Sequence, residues 1–164
     1  MTARITGDRA AMAPERGRSA LDGVEVMNVM TNYLREHIPD GTRIHYVITD
    51  GGRAPNVVPD DAEVYYYVRH VDMTIVNDVW SRVVAAAKGA AMGTGTSYEL
   101  QLTGSVYSLL PNETLAKVQQ RMLERVGGYT MTPAEQAFAE QLQKSPQFLA
   151  QPLANTARIK PLAI

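Results

Sequence analysis

The chain contains no cysteine and no long apolar run, and it carries almost no net charge. Without thiols, disulfides, thiolate nucleophiles and cysteine-based metal sites are all excluded, and a reducing compartment fits that lack. No apolar stretch approaches the roughly 20 residues needed to span a bilayer. The N-terminus lacks the charged-then-apolar order of a secretory signal. A formal charge of −1 and a pI near 6.3 give no electrostatic reason to expect nucleic acid or an anionic membrane as partner. The default expectation is a soluble cytoplasmic protein.

What is present suffices for one well-formed core, or for one domain with an appendage, in 164 residues. Thr2 to Thr6 reads as a short strand. Ser19, with Asp22 three positions on, has the form of a helix start, and Leu21, Val24, Met27, Met30, Leu34 and Ile38 recur at helical spacing until Pro39-Asp-Gly41. Arg43 to Thr49 alternates as a strand, with Ile44, Tyr46 and Ile48 on one face. A Gly/Pro-punctuated turn over 50–59 separates it from a second strand, Glu63 to Arg69. Val76, Val79, Trp80, Val83 and Ala87 then form the apolar stripe of a helix over about 74–92, which Gly93-Thr-Gly95 ends. Ser97 to Leu102 alternates again, with Tyr98, Leu100 and Leu102 expected to face inward.

Strand, helix, strand, strand, helix, strand is the split βαβ order. It predicts an α+β, ferredoxin-like, four-stranded antiparallel sheet with both helices on one face. The core is expected to close near residue 104. Residues 105–144 read as a helical appendage, with helices at Glu113–Val126 and from Thr132-Pro133 to about Gln143. Residues 145–164, rich in Pro, Gln and Ala and without period, read as a loosely ordered tail.

Chemistry-bearing residues are few. His37, His45 and His70 have neither the three- nor four-residue spacing of a helical metal site, and surface or interface positions are expected of them. Asp60-Asp61 is a carboxylate pair whose members point to opposite faces of an extended chain, which suits a turn cap better than an acid/base dyad. The glycines at 51–52 and 93–95 match no phosphate-loop or dinucleotide pattern. No serine sits in a nucleophile elbow. The stretch from Gly51 to Arg69 is different. A turn presents the Asn56 amide and the next strand ends in the Arg69 guanidinium, two donors suited to a carboxylate and expected to act as one anion-recognition hairpin. Tyr65 and Tyr67 share the strand face of Arg69, opposite the helices, a face that is solvated, paired with another domain or used in binding.

Four segments in order, Ala13-Pro-Glu-Arg-Gly-Arg-Ser-Ala-Leu-Asp22, Ile44-His-Tyr-Val-Ile-Thr-Asp-Gly-Gly52, Ala54-Pro-Asn-Val-Val-Pro59 and Leu109-Leu-Pro-Asn112, resemble the M20 metallopeptidase/amidohydrolase family, and within it the aminobenzoyl-glutamate hydrolase branch. The likeness spans roughly residues 7–142. It implies that the first hundred residues are a lid, or dimerisation, domain, and that the helices after Leu109 return towards a catalytic domain. It further implies a homodimer or pairing with a catalytic subunit, and a substrate carboxylate held by Asn56 and Arg69. The family's zinc or manganese ligands fall in segments that this chain does not contain, so no metal, no catalytic residue and no hydrolysis are expected of the chain alone. Where the family pattern usually has a histidine, five positions before Pro14, this chain has Arg9, which lacks a neutral imidazole's ability to shuttle protons but can stabilise an oxyanion. A stand-alone, non-catalytic dimeric binding module remains the alternative, and a ligand-free ferredoxin-like domain a third.

Overall fold

The computed structural model describes residues 1–144 and Ile159; the tail expected over 145–164 otherwise lies outside the described residues. Two compact units divide at Ser108 and Leu109.

The first unit runs β1 (Thr2–Thr6), α1 (Ala20–Leu34), β2 (Arg43–Asp50), β3 (Asp61–Arg69), α2 (Met73–Thr94) and β4 (Ser97–Gln101). Ser19 starts α1 by accepting the Asp22 amide on its hydroxyl at 3.1 Å, which satisfies one of the N–H groups that a helix start leaves unpaired. Asp72 starts α2 in the same way, accepting from the amide and the hydroxyl of Thr74, both at 2.8 Å. These two bonds hold the Asp72 carboxyl below its ordinary range. Gly95, at φ +67°, ends α2 in the left-handed conformation that costs a residue with a Cβ most.

The four strands form one antiparallel sheet in the order β2-β3-β1-β4, the α+β architecture that the element order predicts. One face carries Ala3, Ile5, Ala62, Val64 and Tyr66 into a core closed by Val24 and Met27 of α1 and by Val79, Val83, Ala87 and Ala90 of α2. The alanines of α2 keep the two helices close, and a Cβ on Gly89 would meet the Met30 methyl at 3.1 Å. The core also holds a polar link: the Tyr66 hydroxyl donates to Asn28 Oδ1. Burial pushes that phenol up to about 12.

The edge strands bury less than alternation alone suggests. Leu100 packs on the core, but Tyr98 is half-exposed and Leu102 lies exposed beyond the end of β4. On β2, Ile44 is buried while Tyr46 and Ile48 stay partly open, because the sheet ends there.

The second unit holds α3 (Glu113–Val126), capped by Asn112, and α4 (Pro133–Gln143), where Thr132 and Glu135 form a reciprocal capping box. No residue of either helix is buried. Among the described residues, no helix is long and apolar enough to cross a membrane.

Candidate functional site

The turn between β2 and β3 is held by chain far from it in sequence. Asp50 Oδ1 accepts the Gly52 amide at 3.0 Å, and the Val57 amide donates to the Ala54 carbonyl at 3.2 Å. The flank of the turn is then bonded to the arm between β1 and α1. Val58 N–H donates to Ala10 O at 2.7 Å, Gly7 N–H to Asp60 O at 2.8 Å and Ala20 N–H to Pro59 O at 2.9 Å. The arm returns so closely on β1 that a Cβ on Gly7 would lie 1.9 Å from Arg18 O, so only glycine fits there.

This scaffold presents Asn56 to solvent, and its amide makes no hydrogen bond among the described residues. Arg9 precedes the bridge residue Ala10 on the arm and is also exposed, so the structure brings Arg9 and Asn56 to one end of the domain. Arg69 is at the other end. Antiparallel pairing sets Asp61 opposite Thr6 near the turn, and Arg69 opposite Arg43 where β2 begins. Eight residue steps of β3 separate Asp61 from Arg69, about 26 Å at strand spacing. The expectation of a single hairpin clamp therefore fails within one chain: the strand between the two donors is several times longer than a carboxylate.

Along the sheet face away from the helices, the chemistry changes from end to end. Near the turn, Arg4 forks onto Asp61, with Nε–Oδ1 at 2.6 Å and Nη2–Oδ2 at 3.0 Å, and pairs across the strands with Glu63 and Glu99. These carboxylates answer its charge and raise its basicity further. Towards Arg69 come the tyrosines. Tyr65 and Tyr67 have ring centroids 5.1 Å apart and hydroxyls 3.4 Å apart, and the Tyr65 hydroxyl also meets Thr103 Oγ1 at 3.3 Å. The Thr103 contact is the larger cause that holds the Tyr65 phenol below its ordinary value, whereas its bond with Tyr65 pushes Tyr67 up. Arg69 itself forms no ion pair among the described residues.

The histidines do not gather. His37 follows α1, His45 lies within β2, and His70 follows β3 with its Nδ1 accepting the Asp72 amide at 2.9 Å. Among the described residues no three His, Asp or Glu side chains are grouped to hold a metal ion. The donor set here does not fit the zinc or manganese that the family resemblance implies. Arg43 belongs to no motif in the sequence, and register alone sets it opposite Arg69.

An open, four-stranded antiparallel sheet in the order β2-β3-β1-β4, built from a βαββαβ chain, defines the class of this domain. Residues 1–94 match the family model described as a peptidase dimerisation domain, of the M20 type, and the chain belongs to that family. It is 44% identical over 135 residues to a subunit of the p-aminobenzoyl-glutamate hydrolase of Escherichia coli (strain K12), a match covering 82% of this chain and 28% of that protein. It is also 27% identical to the Xaa-Arg dipeptidase of Mus musculus, over 72% of this chain and 28% of the relative. The chain thus spans under a third of the curated relatives it matches. Among solved structures, an aminobenzoyl-glutamate utilization protein from Klebsiella pneumoniae superposes with a TM-score of 0.62 at 23% identity, over 76% of this chain and 32% of that one. An amidase of the hydantoinase/carbamoylase family from Burkholderia vietnamiensis does so with a TM-score of 0.63 at 18% identity, over 77% and 32%. These two superpositions speak for the fold.

Proposed function

We propose that this chain supplies the pairing and carboxylate-gripping elements of an M20-type amidohydrolase acting on an N-acyl-glutamate-type amide. The observation that carries this reading is the placement of two unpaired donors, Asn56 and Arg69, at opposite ends of β3. One chain cannot close both on a carboxylate, but two copies can. Among the described residues the outer edge of β2 has no strand beside it, and Tyr46, Val47 and Ile48 stand open there. On α1, Val26, Val29 and Tyr33 are also exposed, and Asn32 Nδ2 reaches the Tyr46 hydroxyl at 3.3 Å, so the two apolar groups adjoin.

Antiparallel pairing of β2 with β2 of a second copy about a two-fold axis joins these surfaces. It also sets the Arg43 end of one copy beside the Asp50 end of the other. Arg69 of one protomer then faces Asn56 and Arg9 of its partner across two to three strand spacings, roughly 10–14 Å. A ligand carboxylate with its acyl group bridges that distance. Arg69 offers two parallel N–H donors to the carboxylate and Asn56 one amide donor, while Arg9 is placed to stabilise negative charge on the acyl oxygen. Metal ligands come from elsewhere in the assembled enzyme, with zinc or manganese supplying water activation there.

The purified chain is expected to bind N-acyl-glutamates as a dimer, to lose that binding in both Asn56→Ala and Arg69→Ala, and to show no hydrolysis with added zinc or manganese. Robust turnover, or binding indifferent to both substitutions, overturns the proposal. The scatter of the three histidines favours a second reading, a non-catalytic module that binds the same carboxylate. A catalytic partner that restores turnover to this chain excludes it.

A further inference from the structure

Arg43 and Arg69 occupy directly opposed positions on β2 and β3. Both belong to the sheet face away from the helices, since their neighbours Ile44 and Val68 point to the core. Opposed residues of an antiparallel pair have Cβ atoms about 5 Å apart, and like charges placed so are unfavourable. Elsewhere on this face the problem is solved within the sheet, because Arg4 is surrounded by Asp61, Glu63 and Glu99. The Arg43–Arg69 end has no such answer. Neither guanidinium forms an ion pair among the described residues, and Arg43 spends one N–H on the Thr42 carbonyl at 3.0 Å. The next opposed pair, His45 and Tyr67, adds no anion.

Arg43 also opens onto a shallow concavity of about 380 Å³, shared with His45 and Arg35. The Arg35 guanidinium donates to the Ile44 carbonyl at 2.5 Å and to Asn32 Oδ1 at 3.1 Å, so of the two cations Arg43 has fewer of its N–H groups engaged. Asp40 is the one carboxylate on the rim. Two adjacent guanidinium forks that form no ion pair among the described residues are matched by a ligand with two anionic groups a few bonds apart.

We propose that Arg43 is a specificity residue beside Arg69, and that the ligand is a dianion, an N-acyl dicarboxylic amino acid with its α-carboxylate on Arg69 and its side-chain carboxylate on Arg43. This rests on the reading of Arg69 as a carboxylate donor and adds the second contact. It separates glutamate-type from glutamine-type ligands, because an amide in place of the second carboxylate leaves Arg43 without its counter-charge.

The test is a titration of the full chain with N-acetylglutamate and N-acetylglutamine, followed through arginine side-chain N–H resonances. The wild type is expected to prefer N-acetylglutamate by roughly tenfold or more, the scale of one charge-assisted pair. Arg43→Gln brings that preference to about one, chiefly by weakening N-acetylglutamate, and Arg43→Lys retains part of it. Arg69→Gln weakens both ligands. A wild-type preference near one, or a preference that survives Arg43→Gln, overturns the inference. If Arg69→Gln changes neither ligand, the Asn56–Arg69 reading fails as well. If Arg69→Gln weakens both ligands and Arg43→Gln alters neither, only the present inference fails.

Discussion

The Tyr66 hydroxyl donates to Asn28 Oδ1 inside the core and ties the central strand β3 to α1. Because burial raises the phenol from 10.0 to about 12, the folded state favours its neutral form. The linked stability is fully present below the unfolded value and is lost as pH rises from 10.0 towards about 12. Urea midpoints measured through that interval are expected to fall. In Tyr66→Phe this contribution to the slope disappears, and the midpoint at neutral pH drops by the equivalent of about 1–3 kcal/mol, since Asn28 is left buried without its donor.

Composite sites have a signature in mixtures. Asn56→Ala and Arg69→Ala chains should each fail to bind an N-acyl-glutamate alone. Mixed in equal amounts and allowed to exchange, they should recover about a quarter of the wild-type sites, because half the dimers are mixed and each mixed dimer holds one intact site. Calorimetric stoichiometry measures this. No recovery, in a mixture shown by mass to have exchanged, refutes two-copy sites.

Val29 on the open face of α1 should report on pairing. Val29→Asp places a charge on the apolar surface beside the β2 edge and is expected to shift the chain from dimer to monomer in light scattering, with its circular dichroism unchanged. A wild-type chain that is monomeric at every accessible concentration contradicts the edge-pairing arrangement.

Gly7 allows the arm to fold back on β1, with Arg18 O where a methyl group would lie. Gly7→Ala must displace backbone, and a loss of about 1–3 kcal/mol is expected in denaturant unfolding. Weakened ligand binding through Asn56 should accompany it, because the same arm holds the 51–60 turn.

Most of the fold was legible from local chemistry. The Ser19–Asp22 cap and the Pro39-Asp-Gly41 stop bound α1 and its short 3₁₀ extension, and alternation located the three strands after it. What local pattern could not supply was burial at the sheet edges. Tyr98 and Leu102 alternate as core residues do, but β4 ends at Gln101 and has a neighbour on one side only.

The site divides in a similar way. Residue type marked Asn56 and Arg69 as donors. Their separation could be counted too, since an extended strand lies between them. Arg43 was illegible because its meaning depends on register. A ten-residue turn and an irregularity between Ile48 and Asp50 intervene before β3, so nothing in the order of residues says that Arg43 meets Arg69.

The bonds from Gly7, Ala10 and Ala20 to the 51–60 turn have a consequence for the order of assembly. That turn cannot take its final shape from its own residues; it is cast against a mould made of β1 and the start of α1. During synthesis the mould emerges first and waits some forty residues for its casting, so the 51–60 turn sets only against chain made well before it. Once set, it behaves as a splint, and the amides of Gly7 and Val58 should open to solvent exchange together, as one cooperative unit.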